Sequence, residues 1–97
     1  MAEVRVEFTG PFRDICKCSS SSLTIDGDVS LLALVRRLGD IFGDAFERKL
    51  GLRDDGYDED SVMVVLNGLV VESPRLRSTT VRPGDHVVFA PSLASGG

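Results

Sequence analysis

Ser30-Leu31-Leu32-Ala33-Leu34-Val35-Arg36-Arg37-Leu38-Gly39-Asp40-Ile41-Phe42 is the stretch on which the fold turns, because here the apolar period changes. Leu31, Leu34, Val35, Leu38, Ile41 and Phe42 recur at helical spacing, with Arg36, Arg37 and Asp40 between them. Ser30 is placed as the N-cap, its hydroxyl able to accept from an orphan amide of the first turn. Asp28 adds favourable charge near the positive end of the helix dipole. Gly43 interrupts the pattern, and Asp44 is positioned to cap a shorter helix running to Leu50.

On either side the period is two. Upstream, Val4, Val6 and Phe8 share one face of a strand over Glu3 to Phe8, which Gly10-Pro11 breaks. A short strand at Leu23-Thr24-Ile25 ends at Asp26-Gly27-Asp28, and the serine run Ser19 to Ser22 before it reads as a solvated loop. Downstream, Val62 to Leu66 is the strongest strand, closed by the tight-turn pair Asn67-Gly68. Leu69-Val70-Val71 returns, Pro74 to Thr80 reads as an irregular connection pinned by Leu76, and Pro83-Gly84-Asp85 opens a final strand over His86 to Ala90. Two strands, a helix with a shorter partner, then further strands predict an α+β fold: one mixed sheet against one main helix.

The chain has 97 residues, enough for one core and no more. Hydrophobic residues are 42% and charged residues 27%, the balance of a folded globular domain. The net charge is -4, from 11 basic and 15 acidic residues, and much of the acidity lies in Asp54-Asp55-Gly56-Tyr57-Asp58-Glu59-Asp60, read as a solvated loop. Without a basic stripe or a long apolar run, neither nucleic acid nor a membrane is an expected partner. Met1-Ala2-Glu3-Val4-Arg5 leads straight into a charged alternating strand, so a cytoplasmic protein is expected.

Candidate chemistry is sparse. His86 is the one histidine, and its place at a strand start suits a polar rim better than catalysis. Cys16 and Cys18 cannot complete a tetrahedral zinc site alone, and a disulfide across one residue is strained; one is expected in the core and the other in a loop. No glycine-rich phosphate loop precedes a helix, so no cofactor is expected and a self-contained catalyst is disfavoured. The remaining feature is the ending Gly96-Gly97. Two residues without side chains can enter a channel closed to any other pair, and they carry a carboxylate that a partner could activate. A Gly-Gly ending is also what a frayed terminus looks like.

Taken in order, Phe8-Thr9-Gly10-Pro11-Phe12-Arg13-Asp14-Ile15, the helical Ser30 to Leu38, Asn67-Gly68, Pro83 to Phe89 and the terminal Gly96-Gly97 resemble the MoaD/ThiS family of small sulfur carriers. The resemblance covers most of the chain, with Leu52 to Asp60 as an acidic insertion. It implies a β-grasp (ubiquitin-like) domain over 1-91 and a tail over 92-97. It further implies that Gly97, approached through Gly96, is adenylated by a partner resembling ubiquitin-activating enzymes, converted to a thiocarboxylate, and drawn on by a sulfur-accepting synthase subunit. The sulfur then goes to molybdopterin or to the thiazole of thiamine. A ubiquitin-like modifier joined to lysines through the same glycine is the alternative, and a chemically idle interaction module is a third. The tail departs from the family pattern, since Ala90-Pro91-Ser92-Leu93-Ala94-Ser95 stands where two adjacent prolines and a shorter arm are usual.

The strand patterns point to a partner surface independently. With Val62, Val64 and Leu66 inward, Met63 and Val65 face out; with Val87 and Phe89 inward, His86, Val88 and Ala90 face out. An exposed sheet face is normally polar, so this largely apolar set is the expected docking patch. Glu3, Arg5 and Glu7 give the first strand an ordinary charged outer face.

Overall fold

The computed structural model describes residues 2–54 and 56–92. Among these, β1 (Ala2–Phe8), α1 (Pro11–Cys16), β2 (Ser20–Ile25), β3 (Val29–Ser30), α2 (Leu31–Phe42) and α3 (Asp44–Leu50) form the first half. Then follow β4 (Val62–Leu66), β5 (Leu69–Val70), a 3-10 turn at Ser73–Arg75, β6 (Thr80–Val81) and β7 (His86–Pro91). The main sheet has the order β2-β1-β7-β4-β5, and β3 pairs with β6 in a separate two-stranded ladder. The central pair β1 and β7 is parallel, whereas β1–β2, β4–β7 and β4–β5 are antiparallel. The mixed sheet is therefore as the sequence predicts, with the first and last strands side by side at its centre.

α2 follows from its sequence closely. Ser30 Oγ accepts from the Ala33 amide at 3.0 Å, and the Gly43 amide closes the other end on Gly39 O at 2.8 Å. Leu31, Leu34, Val35 and Leu38 are fully buried against Val4, Val6, Val64, Val87 and Phe89 of the one core. At the C-terminal end of β1 and β7 the chain's five phenylalanines form a single aromatic cluster. Phe8 stacks on Phe89 at 6.0 Å, Phe46 meets Phe89 edge-on at 5.4 Å, and Phe12 meets Phe46 at 5.7 Å. Such pairs contribute roughly 0.5–1.5 kcal/mol each beyond area burial, and they bind α1 and α3 to the sheet.

Several expectations need correction. The serine run is not a loop: Ser20, Ser21 and Ser22 belong to β2 and pair with Glu7, Val6 and Arg5. Register with a strong neighbour overrides their weak strand propensity. Gly10-Pro11 ends β1 but also starts α1, with proline in the first turn where its missing amide costs nothing. Asp44 is the first residue of α3 rather than its cap, and Gly43 is the N-cap. Ile41, although at helical spacing, is 54% exposed. Thr80–Val81 is a short strand inside the stretch read as irregular. Tyr57, in the acidic run, is buried in the core and donates its hydroxyl to Val71 O.

Candidate docking surface and tail root

The antiparallel register of β4 and β7 sets Met63 opposite Ala90 and Val65 opposite Val88. All four are half-buried, while their inward neighbours Val62, Val64, Val87 and Phe89 are buried. α2 and α3 pack on the opposite, core side, so the four form one apolar strip on the outer face. Sequence reasoning missed the strip's continuation. Val70, 57% exposed, lies opposite Val65 across the β4–β5 hairpin. The signal was present in Asn67-Gly68: both residues have positive φ (50° and 86°), the two-residue turn that fixes this pairing. The apolar strip thus crosses three neighbouring strands, β7, β4 and β5.

His86 stands at the boundary between this strip and the charged outer face of β1. Its register partner is Arg5, and Nε2 lies 3.0 Å from Glu7 Oε1, close enough for an ion pair when the ring is protonated but not aligned as a hydrogen bond. Its backbone is tied more firmly: the His86 amide donates to Asn67 Oδ1 at 2.9 Å, and the Asn67 amide donates to His86 O at 2.8 Å. Asn67 Nδ2 in turn donates to Asp85 Oδ1 at 3.0 Å. This clasp locks the β4–β5 turn to the start of β7.

At its other end β7 is anchored from both sides. Thr9 donates to Phe89 O through its amide (3.1 Å) and its hydroxyl (3.0 Å), and the Gly10 backbone lies against the Pro91 ring. A Cβ on Gly10 would sit 3.1 Å from Pro91 Cγ, and its φ of +58° already favours glycine. On the β4 side the Ser92 amide donates to Ser61 O at 3.1 Å. Ser92 is thus a fixed point beside Met63 and Ala90. Gly96 and Gly97 lie outside the described residues.

Cys16 is buried and Cys18 half-buried against the core, and neither is in a disulfide. Burial, with Cys18 adding to it, pushes the Cys16 thiol up to about 11, so it is protonated and unreactive at neutral pH. Among the described residues no cluster of three or more His, Cys, Asp or Glu is placed to hold a metal ion. No helix among them is long and apolar enough to cross a membrane.

No family model matches the sequence, and no curated protein matches it. Solved structures do. The Haloferax volcanii protein HVO 2177 is 26% identical with a TM-score of 0.77, over 99% of this chain and 87% of that one. A proposed molybdopterin converting factor subunit 1 from Pyrococcus furiosus is 20% identical with a TM-score of 0.74, over 96% and 100%. SAMP1 from Haloferax volcanii is 19% identical with a TM-score of 0.73, over 98% and 99%. The resemblance carried by the sequence motifs therefore holds in three dimensions: this chain has the β-grasp, ubiquitin-like fold of the small sulfur carriers and modifiers.

Proposed function

We propose that this protein is a cytoplasmic sulfur carrier whose reactive group is the carboxylate of Gly97. The carboxylate attacks the α-phosphorus of ATP within a partner enzyme resembling ubiquitin-activating enzymes, giving an acyl adenylate and releasing pyrophosphate. Hydrosulfide supplied by that partner attacks the acyl carbon, the bond to the AMP oxygen breaks as the C–S bond forms, and the departure of AMP leaves a thiocarboxylate, which a synthase subunit then draws on. Molybdopterin is the favoured acceptor, in line with the converting factor among the structural neighbours, and the thiamine thiazole is the other. The observation that carries the reading is the apolar strip of Met63, Val65, Val88 and Ala90 beside Ser92, where the chain leaves the sheet. From that point five residues reach at most about 18 Å, so the partner must hold the strip and present its reacting atoms within that radius.

A ubiquitin-like modifier uses the same first step, with a lysine amine in place of sulfur. SAMP1 among the neighbours favours keeping this second reading. ATP–pyrophosphate exchange by the host's adenylating enzyme tests what the two share. Removing Gly96-Gly97 should abolish exchange, and Val65→Asp or Val88→Asp should lower it at least about tenfold (about 1.4 kcal/mol) while circular dichroism stays unchanged. Glu3→Lys on the charged outer face should have no effect. Exchange that survives the loss of both glycines would reject the proposal.

A further inference from the structure

Glu7 and His86 form a titratable corner against the apolar strip. The parallel register of β1 and β7 sets Glu7 opposite Val88, one of the strip's four residues. His86 precedes Val88 by two residues on the same outward face. His86 Nε2 and Glu7 Oε1 are 3.0 Å apart, and the two side chains are 40% and 39% exposed. A surface laid over Val88 therefore covers both.

The two nitrogens of the ring stand in unlike places. Nε2 is buried, has no hydrogen-bond partner and lies against the Glu7 carboxylate. A bare Nε2 there would set two lone-pair acceptors against each other. Nε2 thus keeps its proton in either charge state, and Nδ1 is the atom that gains or loses one. The surrounding charges leave Glu7 to this ring. Arg5, the register partner of His86, is exposed and in no ion pair among the described residues. Glu3 lies two residues further along β1, opposite Thr24. The Asp85 carboxylate is engaged by Asn67 Nδ2 at 3.0 Å and by the Arg82 amide at 2.8 Å, and Arg82 Nε lies 3.8 Å from Asp28. Towards β4 stand the neutral Asn67 and Val65, and beyond β1 the hydroxyls of Ser20 and Ser22. Among the described residues His86 is the one group within ion-pair distance of Glu7. It is also the chain's one histidine, the side chain whose charge changes between about pH 5 and 8.

We propose, on the carrier reading above, that docking of the strip takes up a proton at His86 Nδ1, so that the adenylating partner holds the carrier more tightly as the pH falls. Covering Glu7 beside a neutral ring leaves a lone carboxylate away from water, whereas covering it beside an imidazolium buries a neutralised pair. A histidine that is only desolvated has the opposite sign: burial favours the neutral ring, and docking weakens on acidification. His86 is here a positioning residue. It acts on docking and not on the attack of Gly97 on ATP, so KM for the carrier moves and kcat does not.

The test is ATP–pyrophosphate exchange by the host's adenylating enzyme, measured against carrier concentration from about pH 6 to pH 8. The enzyme's own titrations cancel in the ratio of wild type to variant. Relative to His86→Gln, whose amide nitrogen stands where Nε2 does, the wild-type KM should rise at least about threefold over this range with kcat unmoved. His86→Arg, charged throughout, and Glu7→Gln, with no carboxylate to cover, should each keep the low-pH KM at both ends. Parallel profiles for wild type and His86→Gln, a ratio that moves the other way, or His86→Arg behaving like His86→Gln would each overturn the proposal. If exchange in those cases still needs Gly96-Gly97, the carrier reading stands without it; exchange that does not need the two glycines removes both.

Discussion

The phenol of Tyr57 shows how a single side chain can hold a polar loop to the core. Its ring is buried, its hydroxyl donates to Val71 O, and its amide donates to Ser73 Oγ at 2.8 Å. Tyr57→Phe keeps the ring but leaves the Val71 carbonyl without this donor, which should cost about 1–2 kcal/mol in urea unfolding. A loss below a few tenths would mean that the loop is held by other contacts. Cys16 gives the pH dependence. Its folded pKa, about 11, is raised by burial above the ordinary value of 9.0, so the unfolded chain releases the proton first. Its contribution is therefore complete below pH 9 and is lost as the pH climbs towards 11. Cys16→Ala should lower stability at neutral pH through lost packing yet flatten the decline between pH 9 and 11; an unchanged slope would contradict this.

Among the elements, those whose patterns were strong were legible in the sequence. α2, β4 and β7 stand where periodicity placed them, because each has several apolar residues on one face and a marked end. The alternation of β4 and β7 also assigned the outward faces of Met63, Val65, Val88 and Ala90 correctly. β2 was half missed because serine has no side chain that declares a strand, and its pairing with β1 decides the matter. β3 and β6, two residues each, are too short to leave a period. Gly56 carries a packing constraint that no pattern reveals. A Cβ there would lie 2.0 Å from Ser73 Oγ and 2.8 Å from Ser73 O, in the contact that also positions the Tyr57 amide. Gly56→Ala should destabilise by about 2 kcal/mol or more, read as a lowered urea midpoint, because backbone has to shift to admit the methyl group. A neutral result would mean that the 53–58 segment can swing away from Ser73 freely.

At the scale of the whole molecule the sheet separates two tasks. One face and the α2 side build the core; the strip across β7, β4 and β5 and the anchored Ser92 present a defined exit for the chain. Because every core residue among the described residues precedes Ser92, truncation after that position should leave the urea midpoint unchanged while removing the proposed chemistry. The most direct measurement of the central claim is the intact mass of the protein isolated from its host under non-reducing conditions, with fragmentation of the C-terminal peptide. The account predicts a fraction in which one oxygen of the Gly97 carboxylate is replaced by sulfur, abolished when Gly96-Gly97 is deleted. A terminal carboxylate bearing two oxygens in all of the protein, with no lysine-linked form and with the pathway fully active, would contradict it.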